Sequence, residues 1–556
     1  MNQVEKPKVH ITKMKFNDGH EYEFLPSDIV VFVGSNNAGK SQVLRDIELF
    51  FSNRESTRII ASDIEIALSG NPNYFIEHSI EKHGHFVFDG VSAVNVQHFL
   101  DWWNERDVQV YKNYILNFLT TEQRLLASKP VNSYDAANEA PTNPIQELYA
   151  KDTKENEISE MFKCAFGQDI IINRGAGSII PIHVGQKPDI EEGEDRVSES
   201  YLKKLNEVPQ AQVQGDGVRS FLGVLLNVFV NPHSIILIDE PEAFLHPPQA
   251  RLLGKILAER LNERCQIFIS SHSGDFIKGL LDSGNNQIKI VHINRDCSDI
   301  NHVSLLANRE IANIWKDPIL HFSNILDGLF HSKVVICESD SDCRFYQALL
   351  NACYGDDDVS GILFVHCGGK QRLKVVVDAL RALDVKTIAV ADIDVMNDES
   401  VFKPIVESFD IVWSGIESKW KNVDNFARQL AISKNKNDVK KEIEVFLESL
   451  PETTLSRGSS EKIEEIVKFS SGWSSVKKVG KRAFTGGVYT DYNVVEDECK
   501  SHGLLIVPVG ELEHFYKPFE ALHGPKWTNK VLESVDLIND SELYEAREFV
   551  KSIIDF

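Results

Sequence analysis

Hydrophobic residues in this chain recur in two rhythms. Short, mostly apolar runs lie at 29–33, 235–238, 266–269, 333–337, 361–367, 387–390 and 503–509, and each is followed within two residues by Gly, Ser, Asp or Glu. Such runs read as strands buried on both faces, the habit of parallel sheets. Other stretches place apolar residues at helical spacing, as in Val43, Leu44, Ile47 and Phe50. Segments 10–16 and 20–25 read as two strands joined by the turn Asn17-Asp18-Gly19. From Val96 the rhythm is helical through Phe99, Trp102, Trp103, Val110, Tyr114, Ile115 and Phe118, and 133–143 is a polar loop. Residues 96–165 therefore read as a helical insertion between two halves of one α/β domain, 1–95 and 166–325. The Trp102-Trp103 pair reads as core. A second α/β unit starts near 326, is interrupted by charged helical sequence at 416–485, and resumes at 486–556. The predicted fold class is α/β with two domains, each carrying a helical insertion.

A chain of 556 residues has room for two to four domains with real cores. Its 42% hydrophobic and 26% charged residues are ordinary for a globular protein. No apolar run approaches the roughly 18 to 20 residues of a membrane helix, and the first eight residues lack the apolar core of a secretory signal. Eight scattered cysteines without Cys-x-x-Cys spacing fit a reducing cytoplasm better than a zinc or disulfide frame. The net charge of −24 is the wrong sign for coating nucleic acid. Binding to DNA would need a local basic patch, metal ions or a partner.

The run 29–33 leads directly into Gly34-Ser35-Asn36-Asn37-Ala38-Gly39-Lys40-Ser41 and then into a helix. Strand, glycine loop and helix in that order form a phosphate cradle. Backbone N–H groups close around the β-phosphate, Lys40 reaches the β/γ-phosphates and Ser41 binds Mg²⁺. The run Ser234–Ile238 ends in Asp239-Glu240-Pro241-Glu242, where Asp239 would hold the Mg²⁺ shell and Glu240 would polarise the attacking water. A third strand delivers His272, placed to contact a γ-phosphate. These residues resemble the ABC-type ATPases of the SMC, RecF and OLD group. In that group a glycine-containing segment before the second acidic strand contacts the partner subunit's ATP. Gln214-Gly215-Asp216-Gly217-Val218-Arg219-Ser220 stands at that place, with Gly215 and Gly217 as contacts, and departs from the transporter form. The resemblance implies sites completed by a homodimer or higher homo-oligomer through the ATPase domain.

In the second unit, acids follow three of the four strands. Glu338 and Asp342 follow 333–337, Asp392 and Asp394 follow 387–390, and Glu511 and Glu513 follow 503–510. Parallel strands present their C-terminal ends along one edge, where ligands bind. Asp392 and Asp394, two apart, would point to one side of their strand. Glu338, Asp342, Asp392, Asp394 and one of Glu511 or Glu513 could thus converge, their repulsion relieved by Mg²⁺ or Mn²⁺. Two such ions suit phosphodiester hydrolysis. The plainer reading is a doubly wound domain with acidic loops.

A Glu after one strand and Asp-x-Asp after a later one resembles the Toprim domain in its OLD-nuclease version, and the ATPase and Toprim motifs stand in OLD order. The resemblance implies a metal-dependent DNA endonuclease or nickase controlled by ATP. It also implies a role in anti-phage defence, as in the Gabija nuclease subunit and retron-linked OLD effectors, with a helicase-like protein or retron reverse transcriptase and its nucleic acid as partner. The family also places a basic residue near the scissile phosphate, for which Lys370, Lys481 and Lys530 are candidates. The cluster Trp473, Lys477, Lys478, Lys481, Arg482 and Phe484 suits phosphate contact and base stacking, or a solvated helix face. Two other functions stay open: an ATPase switch with an inactive Toprim scaffold, and an RNA or tRNA nuclease.

Overall fold

The computed structural model describes residues 7–53, 55–74, 85–88, 92–135, 141–230, 233–261, 265–295, 300–306, 324–355, 359–430, 436–450, 454–467, 472–519 and 521–556. The chain divides into two compact units, Met1–Phe330 and His331–Phe556.

The first unit is built on a six-stranded sheet in the order Asn301–Leu306, Ile288–Arg295, Ile29–Val33, Gln266–Ser270, Ile235–Asp239, Leu116–Leu119. All pairs are parallel except the outermost, Ile288–Arg295 with Asn301–Leu306. The three strands that carry candidate chemistry, ending at Val33, Asp239 and Ser270, are adjacent in register. The unbroken apolar run Ile29–Val33 is buried at every position, as a strand covered on both faces requires. A separate antiparallel sheet holds Glu21–Glu23, Lys8–Phe16 and Ala61–Ser69, the first two joined through Gly19 at φ 90°. One expected insertion is not wholly helical. Within 96–165, Leu116–Leu119 is a strand of the central sheet, parallel to Ile235–Asp239. Trp103 is buried against Tyr111, edge to face with 5.2 Å between ring centroids.

The helix Lys40–Ser52 buries Val43, Leu44, Ile47, Phe50 and Phe51, one stripe at helical spacing. The same helix buries Asp46 completely. Its carboxylate accepts the backbone N–H groups of Ile60 (2.7 Å), Ala61 (3.0 Å) and Ile59 (3.2 Å) and the Gln42 amide (2.9 Å). Asp46 thereby ties the helix to the start of Ala61–Ser69. Asp46→Ala would leave these donors unpaired, so a loss of about 3 kcal/mol in stability is expected. Urea unfolding followed by circular dichroism checks it, and a loss under about 0.5 kcal/mol would contradict it.

The second unit holds a four-stranded parallel sheet in the order Ile362–His366, Lys333–Cys337, Thr387–Ala391, Leu504–Ile506. Its core gathers Phe345, Tyr346, Leu349, Trp527, Val531, Val550 and Ile553 around the strands. The fourth strand is shorter than its apolar run. Pro508 has no N–H for a ladder, and its carbonyl instead accepts the N–H of Lys481 at 2.8 Å. Segment 416–485 contributes helices including most of Trp413–Gln429, together with Lys436–Glu448, Arg457–Val467 and Gly472–Val479. Among the described residues no helix is long and apolar enough to cross a membrane.

Candidate functional site

In the first unit the loop Gly34–Gly39 closes tightly. Gly34 has φ 150°, and a Cβ there would lie 2.0 Å from the Ile293 carbonyl oxygen, so no other residue fits. Asn37 is left-handed at φ 62°. Ala38 is buried and its carbonyl accepts the Asn301 amide at 2.5 Å, a brace that the sequence pattern does not reveal. Asn36 and Asn37 are exposed on the loop, and Ser41 follows Lys40 in the first turn of the helix. The Lys40 ammonium donates to the carbonyls of Gly34 (2.9 Å) and Ser35 (2.7 Å). Burial pushes its pKa down to about 8, against the pull of Glu240, Glu242 and Asp239. These three carboxylates thus face the loop that would hold phosphates.

Asp239 accepts a hydrogen bond from Ser270 on the neighbouring strand. Glu240 sits at φ 49°, a left-handed backbone that aims its side chain toward His272, with 3.4 Å between Oε1 and Nε2. Burial, then the Lys40 charge, holds the His272 imidazole below its usual pKa. The next acid, Glu242, is structural: its Oε1 accepts the His272 N–H (2.7 Å) and the Ser271 hydroxyl (2.9 Å). Burial pushes the Glu242 carboxyl up. Gly215 is exposed as the N-cap of Asp216–Leu225. A Cβ on Gly217 would lie 2.6 Å from the Phe244 carbonyl oxygen. The segment is therefore seated on the turn that follows Asp239-Glu240.

In the second unit the acids converge at the C-terminal edge of the sheet. Glu338, Asp392 and Asp394 each offer an oxygen within 4.8 Å of the others, and so do Glu511, Glu513 and His523. Glu338 Oε1 accepts the Asp392 N–H at 3.1 Å. The strand stops at Ala391, and Ile393–Asn397 is a turn of 3₁₀ helix. Asp392 and Asp394 share a site because that helix turns them together, not through strand alternation. Asp342 lines the same cleft, but its carboxylate is engaged in a reciprocal cap with Ser339, accepting that N–H at 2.8 Å. It lies outside both three-residue groups.

The two acidic groups share one cation, the ammonium of Lys477. It lies 2.9 Å from Asp392, 3.6 Å from Asp394 and 3.5 Å from Glu511. Lys370 pairs with Asp394 at 2.8 Å. The other two lysine candidates are engaged elsewhere, Lys481 with Glu496 at 3.4 Å and Lys530 over the Phe519 ring. Lys477 was legible only as one member of a basic–aromatic cluster. Trp473, one turn earlier on the same helix, is buried with its indole N–H on Asp424 at 2.8 Å. Spacing of four therefore puts Lys477 on the inward face. Phe484 is also buried, so the aromatics of that cluster do not form a stacking platform. The placement is tight: Gly510 has φ 107°, and a Cβ there would meet the Lys477 carbonyl oxygen at 1.9 Å.

Burial raises the pKa of Glu338, with Asp394 and Asp342 adding to it and Lys477 opposing. Asp392 is pushed well up by burial and by Glu338, again against Lys477. Lys477 is raised by Asp392 and Asp394 although burial opposes it. An ammonium held by three carboxylates marks a place where positive charge is required. Closely spaced carboxylate oxygens are the donor set of Mg²⁺ and Mn²⁺, so the residues fit such an ion. The cleft, about 630 Å³, also takes in His366 and the Gly368-Gly369 turn. That is room for a phosphodiester beside the acids.

Residues 29–277 match the AAA domain family model named for the AbiEii toxin of type IV toxin–antitoxin systems. Residues 329–394 match the "Overcoming lysogenization defect protein-like, TOPRIM domain" model. An OLD nuclease of Thermus scotoductus is 28% identical over 165 residues, 29% of this chain and 31% of that protein. The Old nuclease of Escherichia phage P2 is 26% identical over 175 residues, 30% of this chain and 28% of that protein. The matches thus span about a third of the length of these curated relatives. Among solved structures, an SMC head bound to the winged-helix domain of ScpA is 12% identical with a TM-score of 0.33, covering 56% of this chain and 99% of that one. The SMC head domain of Thermotoga maritima is 13% identical with a TM-score of 0.28, covering 53% and 97%.

Proposed function

We propose that this chain, an OLD-family protein in which an AAA-type ATPase domain precedes an OLD-like Toprim domain, is a metal-dependent DNA endonuclease governed by ATP. The convergence of Glu338, Asp392 and Asp394 on one locus, with Lys477 across it, carries the reading. These three carboxylates would hold Mg²⁺ or Mn²⁺, and Glu511 and Glu513 would hold a second ion. Bound there, such ions supply charge for the phosphodiester oxygens and acidify a water. The chain's own part is to fix the acids at the sheet edge and to hold an ammonium beside them. Released from the carboxylates, the Lys477 ammonium faces the charge that develops on the phosphate. At the other site Asp239 and Ser41 would hold the nucleotide's Mg²⁺, Glu240 would orient water and His272 would contact the γ-phosphate. We infer a homodimer in which Gly215 and Gly217 complete the partner's nucleotide site, and a role in anti-phage defence beside a helicase-like or retron partner. The names of the two matching families, one for lysogenization and one for a toxin system, support that context. The −24 charge fits an enzyme that depends on metal and a partner to hold DNA.

The test is cleavage of supercoiled plasmid by the full chain with Mg²⁺ or Mn²⁺, with and without ATP, beside a structured RNA. Nicked or linear DNA that vanishes with EDTA is the expected result. Lys477→Met is expected to cut about 100-fold more slowly. Cleavage indifferent to EDTA, or confined to RNA, would overturn the assignment.

A further inference from the structure

Arg124 is fully buried, and the nucleotide chemistry above does not use it. It stands on the helix Thr121–Leu126, which directly follows the edge strand Leu116–Leu119. Its guanidinium makes five hydrogen bonds, all to uncharged oxygens. Nη1 donates to the carbonyls of Leu119 (3.1 Å) and Asp239 (2.5 Å). Nη2 donates to the Glu240 carbonyl (2.9 Å) and the Thr121 hydroxyl (3.3 Å). Nε donates to the buried Ser220 hydroxyl at 3.0 Å. A buried cation is costly unless its donors are satisfied, and these are satisfied by its own helix and by three other segments.

Two of those bonds end where the strand Ile235–Asp239 turns. There Glu240 holds a left-handed backbone, φ 49°, which disfavours a residue with a Cβ and persists only when its surroundings fix it. The Ser220 bond ends on Asp216–Leu225, the helix that begins at Gly215 and carries Gly217. Arg219 ties that helix to the same neighbour, donating to the Leu125 carbonyl (3.1 Å) and the Ser128 hydroxyl (3.3 Å).

We propose that Arg124 is a positioning residue for ATP hydrolysis, one guanidinium that fixes both the backbone bearing Glu240 and the helix bearing Gly215 and Gly217. A shift of that helix, as when its glycine segment meets a nucleotide, is then passed to Glu240. Arg124 touches no reacting atom and acts through Glu240. The inference rests on reading this unit as an ATPase that uses Glu240.

The test compares the full-length wild type with Arg124→Lys, Ser220→Ala and Lys40→Ala. Arg124→Lys keeps the charge but loses the fork. Ser220→Ala keeps the bonds to Asp239 and Glu240 and cuts the bond to the helix. Affinity is read with the fluorescent analogue mant-ATP, and hydrolysis is read against ATP concentration. Both variants are expected to hold mant-ATP within about twofold of wild type while kcat falls, about 30-fold for Arg124→Lys and about 5-fold for Ser220→Ala. Any sigmoidal response of the wild type should flatten in Ser220→Ala. Wild-type kcat in both variants would overturn the proposal, and so would a mant-ATP affinity that falls in step with kcat. If Arg124→Lys fails to fold, Ser220→Ala carries the test alone. A wild type without hydrolysis, or Lys40→Ala as active as wild type, would instead refute the ATPase reading itself.

Discussion

Asp392→Asn is expected to lower DNA cleavage by about 10³-fold, some 4 kcal/mol of lost transition-state stabilisation. The substitution keeps the size of the side chain and removes its charge at the centre of the site. Asp392 belongs to the three-carboxylate group, lies 2.9 Å from Lys477 and donates its N–H to Glu338. Its carboxyl is pushed well up by burial and by Glu338. The sign of the pH effect follows. An acid whose folded pKa lies above its unfolded value favours the protonated fold. That contribution is present at low pH and is lost as pH rises through the folded value. The metal-free protein should therefore lose stability as pH climbs from about 4 into the raised range of Asp392 and Glu338. A divalent cation needs the charged form, so metal affinity should strengthen over the same window. Calorimetric titration with Mn²⁺ at several pH values reads this directly. Asp392→Asn should bind Mn²⁺ more weakly and flatten its pH dependence. Cleavage within tenfold of wild type at unchanged Mn²⁺ affinity would sink the assignment.

What the sequence made legible was governed by the range of the forces involved. Unbroken apolar runs such as Ile29–Val33 and Thr387–Ala391 are local signals, and both are fully buried strands. The phosphate loop is equally local as a sequence signal, because Gly34 to Ser41 is contiguous and its glycines Gly34 (φ 150°) and Gly39 (φ 102°) hold backbone that glycine favours. Leu116–Leu119 carries no strand signal of its own, because four residues flanked by helices have no strand rhythm and neighbouring strands decide their state. Asp392 and Asp394 come together for a reason other than strand alternation, since the chain leaves the sheet between Ala391 and Ile393. Asp342 shows a competing local use, as a helix cap claims its carboxylate. Lys477 and Arg124 were the hardest. Each meets its partners across a long span of chain, Lys477 with Asp392 and Arg124 with Asp239 and Glu240. No spacing rule covers such distances, and in both cases the lock is tertiary: Gly510 against Lys477, Ser220 against Arg124.

Lys40→Ala is expected to weaken ATP binding by about 100-fold, near 3 kcal/mol, and to remove the response of DNA cleavage to ATP. The Lys40 ammonium is already buried and oriented in the loop by Gly34 and Ser35. A phosphate arriving there meets a charge that has lost its water, so little ordering remains to be done. Burial lowers the Lys40 pKa to about 8. At pH 7 roughly nine-tenths of the chains carry the cation, and by pH 9 roughly one-tenth do. Binding selects the charged form, so affinity for ATP should hold below pH 8 and fall about tenfold per unit well above it. The mirror case, an affinity that weakens toward acid, would contradict this assignment. Lys40→Ala should show a flat profile over the same range. Isothermal titration with ATP between pH 6.5 and 9.5 separates these outcomes. The same variant then decides the coupling. If its cleavage still responds to ATP, the nucleotide acts somewhere other than this loop. If the response disappears while cleavage with metal alone persists, the loop is the input and the Asp392 site the output.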